Sequence, residues 1–230
     1  MILRKENERG ELNIDWLSAR HSFSFGSFFD PNFMGFKALK VINNDIIEAG
    51  RGFDTHSHRN MEILTFVLSG EIEHRDNLGN HSIIKPGEIQ LISAGSGVSH
   101  SEFNPSSENK TELFQIWIEP NQFGKTPRYE QFSYLEGMSK NKLTLLGSMD
   151  KEKNKVLIYQ NIKVSIAQYE KGTQENKLNL SSSFWIQMVS GEVRVGEFII
   201  SNRDGAGFES GELEQINIMQ DSEFLLFEFL

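Results

Sequence analysis

The amino-acid sequence predicts an all-β protein built from two similar β-barrels. Three observations carry this prediction: short runs of β-forming residues recur along the chain, turn residues separate them, and one five-residue pattern occurs twice. No long stretch shows the 3.6-residue periodicity of an amphipathic helix. At 230 residues the chain is long enough for one large β-domain or two small ones, with ample material for a core.

The predicted strands follow one another at close spacing. The alternation Phe23-Ser24-Phe25 indicates a strand with one buried face, and Asp30-Pro31-Asn32 is a turn signal. The clearest later strands are Leu39 to Ile42, Ile63 to Leu68, Ile89 to Ile92, Leu113 to Ile118, Lys163 to Tyr169, Phe184 to Val189, Phe198 to Ile200 and Phe224 to Phe229. Turn residues break the pattern at 76–80, 86–87, 95–97 and 204–207. Tyr129 to Met138 is predicted as one short helix, and the rest of 121–154 as a polar connection.

An internal repeat predicts that the two halves are related. Val67-Leu68-Ser69-Gly70-Glu71 recurs as Met188-Val189-Ser190-Gly191-Glu192. Counting back from each copy aligns His56 and His58 with Leu178 and Leu180, and no histidine follows His100. The second half therefore reads as a copy of the first in which apolar residues replace a metal site.

Composition limits the possible partners. A formal charge of −9 argues against direct, electrostatically driven binding to nucleic acid or to an anionic membrane. The first ten residues lack the apolar segment of a secretory signal, and no apolar run of eighteen residues is present. The chain has no cysteine, which excludes disulfides and thiol chemistry. We expect a cytoplasmic protein.

Half of the six histidines belong to one constellation. In a β-strand, residues two apart point to the same face, so His56 and His58 can aim at one point, and His100 and Glu102 can do so from another strand. Three imidazoles and one carboxylate form a set that holds a transition metal. Two carboxylates compete for the fourth place, because Glu62 shares the face of His56 and His58 if the strand continues without a bulge. Glu102 is favoured, since its spacing from His100 needs less regularity.

These motifs resemble those of the cupin superfamily and, more narrowly, of the pirin family. The matching segments are Arg20-His21-Ser22-Phe23-Ser24-Phe25-Gly26, His56-Ser57-His58-Arg59, Gly70-Glu71-Ile72-Glu73-His74-Arg75-Asp76 and Ala94-Gly95-Ser96-Gly97-Val98-Ser99-His100-Ser101-Glu102. The resemblance implies a bicupin, that is, two double-stranded β-helix (jelly-roll) barrels. We place an N-terminal cupin with the metal site at 1–134 and a C-terminal cupin without metal ligands at 135–230. In the pirin pattern the carboxylate ligand is Glu102; in the broader cupin pattern it is Glu62.

The resemblance also implies a function. It points to a quercetin 2,3-dioxygenase-like enzyme that opens the ring of a small flavonol-like aromatic enol, with Glu102 as the catalytic base. One divalent transition metal is expected, most simply Fe(II), with Ni, Cu, Mn or Zn as alternatives, because a histidine-carboxylate set with open positions suits oxygen chemistry. The alternative function is a non-catalytic metal-binding regulator whose metal state controls a protein partner.

The remaining candidate residues carry weaker predictions. His74 has the parity of Ile72 and is predicted as a core or pocket-edge histidine, with a ligand role as the alternative. His21 and His81 are predicted to be structural or surface residues. Arg59 is predicted either at the pocket entrance or as an exposed ion-pairing residue. Most of the eighteen phenylalanines are expected to pack the core, and some to line an apolar pocket.

Overall fold

The computed structural model describes residues 1–175, 182–211 and 215–230. In the first half the strands are β1 Ile2–Arg4, β2 Gly10–Ile14, β3 Leu17–His21, β4 Leu39–Ile47, β5 Gly52–His58, β6 Glu62–Ser69, β7 Ile72–Asp76, β8 His81–Ile84, β9 Glu88–Ser93, β10 Val98–Phe103, β11 Thr111–Ile118 and β12 Arg128–Ser133. In the second half they are β13 Leu143–Ser148, β14 Val156–Leu157, β15 Ile162–Tyr169, β16 Gln174–Glu175, β17 Ser183–Ser190, β18 Glu192–Val195, β19 Phe198–Ser201, β20 Gly205–Phe208, β21 Ile216–Ile218 and β22 Ser222–Phe229. Short 3-10 turns cover Glu6–Glu8 and Leu135–Gly137.

The strands form two barrels, each of one large and one small sheet. The first has the orders β12-β9-β6-β11-β4-β3-β2 and β5-β10-β7-β8. The second has the orders β1-β20-β17-β22-β15-β13-β14 and β16-β21-β18-β19. The all-β, two-barrel prediction is therefore confirmed. Because β1 pairs with β20, the N-terminal residues complete the sheet of the second barrel, and the division at residue 134 stays a prediction.

The internal repeat corresponds to the same turn in both barrels. Gly70 and Gly191 both have left-handed backbone, with φ of 73° and 83°. In each turn a side-chain hydroxyl of the neighbouring strand hydrogen-bonds to the backbone N–H and C=O of the residue after the glycine. Thr111 binds Glu71 in this way, and Ser222 binds Glu192. The positions aligned with His56 and His58, Leu178 and Leu180, lie outside the described residues.

Gly70→Ala is expected to destabilise the protein more than Gly79→Ala. Both glycines have positive φ, 73° and 93°, so both substitutions carry the backbone cost of about 1–2 kcal/mol. A Cβ at Gly70 would also lie 2.7 Å from the Lys110 carbonyl oxygen, whereas nothing lies within 4 Å at Gly79. This clash should add about 1–3 kcal/mol to the loss of unfolding free energy, measured by urea denaturation. Equal losses for the two variants would contradict the clash.

The largest hydrophobic cluster lies between the two barrels. It joins Leu64, Phe66 and Phe114 of the first large sheet to side chains of the second, among them Trp185 and Phe227. Two smaller clusters fill the ends of the first barrel, and a separate apolar cluster fills the second. The two large sheets thus bury their facing sides against each other, which stabilises the pair of barrels as one unit.

Three local predictions were wrong, and several short strands were not predicted. The expected break at 204–207 is in fact a strand, because Gly205–Phe208 pairs with β1 on one side and β17 on the other. Phe23 to Phe25 is not a strand: Phe25 makes only an isolated bridge to Phe28, across a turn with Gly26 at a φ of 58°. Tyr129 to Met138 is not a helix, because Arg128–Ser133 pairs with the edge of β9 and only one 3-10 turn follows. The predicted connection also contains the strand Leu143–Ser148. In the ranges that the structure describes, no helix has the length and apolar character needed to cross a membrane.

Candidate metal centre

Two adjacent strands bring the three predicted histidines together. His56 and His58 lie on β5, and His100 lies opposite His56 on β10. The ring centroids are 4.5 Å apart for His56 and His100, 5.0 Å for His58 and His100, and 4.7 Å for His56 and His58. One donor nitrogen from each ring lies within 4.8 Å of the other two. The cluster can hold a metal ion.

A bulge in β5 lies next to His56. Between His100 and Glu102 the pairing with β5 shifts, so that His100 faces His56 and Glu102 faces Phe53. The Asp54 carbonyl oxygen lies 2.8 Å from Nδ1 of His56. A carbonyl can only accept, so Nδ1 carries the hydrogen and Nε2 is left free for a metal.

The other two imidazoles, His58 half-buried and His100 fully buried, are electrically neutral at neutral pH. Burial, with the neighbouring His100 and His56, lowers the pKa of His58 to about 4. Burial, with His56 and His74, lowers the pKa of His100 to about 3. His100 is 1% exposed, and neither of its ring nitrogens has a hydrogen-bond partner among the described residues. Neutral imidazoles with free nitrogens are the form that binds transition metals.

Glu102 lies on β10, two residues after His100. Its side chain is buried among amide and hydroxyl groups. Gln115 Nε2 donates to its Oε2 at 2.9 Å, and Gln90 Nε2 and Thr65 Oγ1 approach its Oε1 at 3.3 and 3.4 Å. A Glu102 oxygen lies within 4.8 Å of donor nitrogens of His100 and His74. The carboxylate is thus held next to the histidine cluster by donors on three other strands.

Glu62 points to the opposite side of its strand. On β6, Glu62 shares the face of Leu64 and Phe66, which pack in the cluster between the barrels, while Thr65 faces the barrel interior. Its Oε1 accepts a hydrogen bond from Ser93 Oγ at 2.6 Å, and its Oε2 lies 3.4 Å from the backbone N of Tyr159. Glu62 therefore links the barrels and does not join the histidine cluster.

The remaining predicted residues differ in their burial and in their contact with the histidine cluster. His74 is fully buried and contacts the cluster, with its ring centroid 5.3 Å from that of His100. His21 is buried and binds Asn43, whereas His81 is 55% exposed and pairs with Glu73. Arg59 is exposed.

Sequence reasoning missed the polar layer around Glu102. Thr65, Gln90 and Gln115 are polar residues at inward positions of otherwise apolar strands, and that is the signal that could have identified them. Asp45 belongs to the same interior. Burial, together with the charge of Glu102, raises the pKa of Asp45 to about 7.

The second barrel has apolar residues at the described positions equivalent to four polar residues of this interior. The repeat places Val195 where the first barrel has His74, and the strand pairing then places Ile216 opposite Val195, as Glu102 lies opposite His74. Ile186 and Leu226 replace the paired Thr65 and Gln115. The same fold therefore forms with apolar residues at these positions, so it does not require the polar ones.

A cavity of about 460 Å³ opens beside His56. Trp16, Phe53 and Phe103 supply aromatic walls, and Arg51 lies at the same cavity. Trp117 packs edge-on against His58 with ring centroids 4.9 Å apart. Aromatic residues thus lie next to both His56 and His58, and the cavity has the size of a small-molecule site.

Comparison with known proteins identifies the family. The Pirin family model matches residues 3–118, and the model described as a quercetinase C-terminal cupin domain matches residues 145–229. A quercetin 2,3-dioxygenase of Escherichia coli K12 is 44% identical over 99% of this chain and 98% of its own length. A pirin-like protein of Caulobacter vibrioides is 37% identical over 98% of both chains.

The solved structures agree with this assignment. A crystal structure of the bacterial pirin YhhW from Escherichia coli in complex with nickel(II) has a TM-score of 0.92 and 43% identity, and covers 99% of this chain and 98% of that one. Another crystal structure of YhhW has a TM-score of 0.94 and 43% identity, with coverage of 100% and 97%. The resemblance deduced from the sequence motifs is therefore confirmed, and the chain belongs to the pirin family of bicupins.

Proposed function

We propose that this protein is a metal-dependent dioxygenase acting on a flavonol-like aromatic enol. The observation that carries the proposal is the His56-His58-His100 cluster beside the buried Glu102, together with the 44% identity to a quercetin 2,3-dioxygenase. The non-catalytic regulator is the alternative, and the experiment below separates the two.

We propose His56, His58, His100 and Glu102 as the ligands of one divalent ion. The donor set fits, since the two buried nitrogens of His100 have no other partner in the described part of the chain, and Nε2 of His56 is left free by the bond to Asp54. Fe(II) is the proposed metal in an oxygenase, and nickel is supported by the YhhW structure. When bound, the ion would polarise the enol oxygen and supply a site for dioxygen.

The chain's own residues would position the substrate and accept its proton. Trp16 and Phe53 offer flat apolar faces to an aromatic ring entering the cavity beside His56. A carboxylate oxygen of Glu102 would take the proton of the substrate's 3-hydroxyl as general base. Gln115 and Gln90 would keep that carboxylate aimed at the centre during the transfer.

The test is oxygen uptake by protein loaded anaerobically with Fe(II) or Ni(II), with metal content measured by elemental analysis. We expect oxygen consumption with a flavonol, and none above background with a flavone that lacks the 3-hydroxyl. If fully metallated protein consumes no oxygen with a panel of flavonols and related enols, the dioxygenase proposal fails and the regulator becomes the better description.

Gln115→Leu is expected to lower the oxygenase rate about 10- to 100-fold, because Glu102 loses its closest hydrogen-bond donor, at 2.9 Å. Leucine preserves the approximate volume, so the barrel should still fold. The control is Gln168→Leu, which removes an exposed glutamine that pairs with Glu223 in the second barrel. An unchanged rate in Gln115→Leu, at full metal content, would show that Glu102 needs no such support.

A further inference from the structure

His74 has the surroundings of a metal-binding histidine, although it lies outside the proposed ligand set. Its side chain is fully buried, and its Nε2 lies 3.0 Å from Oδ2 of Asp76. Its Nδ1 is buried and has no hydrogen-bond partner among the described residues. A histidine that gives one ring N–H to a carboxylate and leaves the other nitrogen free is the usual arrangement around a bound metal.

The neighbours of His74 fix both its tautomer and its ring plane. Asp76 is itself held, because the backbone N–H groups of Leu78 and Asn80 donate to its Oδ1, each at 2.9 Å, and Asn80 Nδ2 donates to its Oδ2 at 2.8 Å. A carboxylate bound in this way accepts from Nε2–H of His74, so Nδ1 keeps its lone pair. Tyr129 stacks on the imidazole with ring centroids 4.6 Å apart.

Two further donors lie next to this histidine. One donor atom from each of His74, His100 and Glu102 lies within 4.8 Å of the other two, and the three side chains are at most 3% exposed. The second barrel has Val195 and Ile216 in place of His74 and Glu102, so the fold does not require a polar pair here.

We propose a second, inner metal position formed by His74, His100 and Glu102. It shares His100 and Glu102 with the outer position that includes His56 and His58, so the two positions are alternatives and the chain holds one divalent transition metal at a time. An ion in the inner position lies among fully buried side chains, whereas the outer position touches His56 at the cavity. The inner position is independent of any oxygenase activity, since it concerns metal binding alone.

The experiment removes the outer position and asks whether metal remains. We expect the double variant His56→Ala, His58→Ala to bind one Co(II) per chain, more weakly than the unaltered protein and with a changed visible spectrum. Adding His74→Ala should weaken the remaining binding at least tenfold, and adding Asp76→Asn should weaken it about 10- to 100-fold. The matched control adds His81→Ala, an exposed histidine on β8, and should leave binding as in the double variant.

Cobalt binding by folded variants can either support or overturn the inner position. Circular dichroism and thermal unfolding establish that each variant is folded. A folded double variant that holds no cobalt overturns the inner position, and so does equal binding with and without His74. X-ray absorption on the cobalt-loaded double variant supplies a second measurement that needs no further substitution: two imidazole ligands support the proposal, and fewer than two contradict it.

Discussion

Replacing His100 with alanine is expected to lower metal affinity at least about 100-fold and, with it, to remove oxygen uptake. His100 is the only histidine shared by both clusters of donor atoms found in the described residues, and it is 1% exposed. Changing residues that merely support a ligand typically costs 10- to 100-fold in metal affinity, so loss of this ligand should cost at least about 100-fold. Elemental analysis after gel filtration and an oxygen electrode would measure the two effects.

His81→Ala is the control for that substitution. His81 is 55% exposed and its Nε2 contacts only Glu73 on the surface, so its removal should leave metal content and oxygen uptake unchanged. Thermal unfolding of metal-free protein should show that both variants are folded. A folded His100→Ala protein with full metal content would contradict the proposed ligand set.

Trp185→Ala is expected to lower the free energy of unfolding by about 3–5 kcal/mol. Trp185 belongs to the second barrel, yet its fully buried indole packs against Phe23 and Phe36 of the first half, with ring centroids 5.0 and 5.7 Å away. A Cβ on Gly205 of the neighbouring strand would lie 2.4 Å from this indole, so the ring fills its space completely. Typical domains have only about 5–15 kcal/mol of stability, so the loss should be large in urea denaturation.

Ile199→Ala provides the comparison, because Ile199 is an apolar residue of the same barrel that is 47% exposed. Its removal should change the unfolding free energy by no more than about 0.5 kcal/mol. If Trp185→Ala unfolded in two separate transitions, the barrels would be independent units, and the shared cluster would stabilise only their association.

The sequence predicted strands best where the interior is apolar. Every later strand inferred from a run of β-forming residues is present, and each is one to five residues longer than predicted. In β4, for example, the polar residues Asn43, Asn44 and Asp45 continue the strand beyond Ile42. The errors lie where local pattern and pairing disagree. Phe23 and Phe25 alternate like a strand, but the turn at Gly26 leaves them no partner strand.

The edge strand β12 is the opposite error: a strand forms where the sequence does not predict one. Residues 129–138 have no strong strand pattern, yet 128–133 becomes a strand because the open edge of β9 offers unpaired backbone groups to whatever segment passes it. Local propensity is weaker than such pairing, and a sequence gives no information on which edge lies nearby.

The sequence alone determined which residues make up the candidate site: His56, His58 and His100 have side chains that can bind a metal and a spacing that suits strands, and the pirin motifs surround them. Only the tertiary structure decided the direction of Glu62, since on β6 the side facing the other barrel and the side facing the interior are both buried and both accept an acid. It also decided that His74 lies against His100 and Glu102, because strand pairing brings residues 26 and 28 positions apart into one cluster. Spacing along a strand is local, whereas which strands are neighbours is a property of the whole barrel.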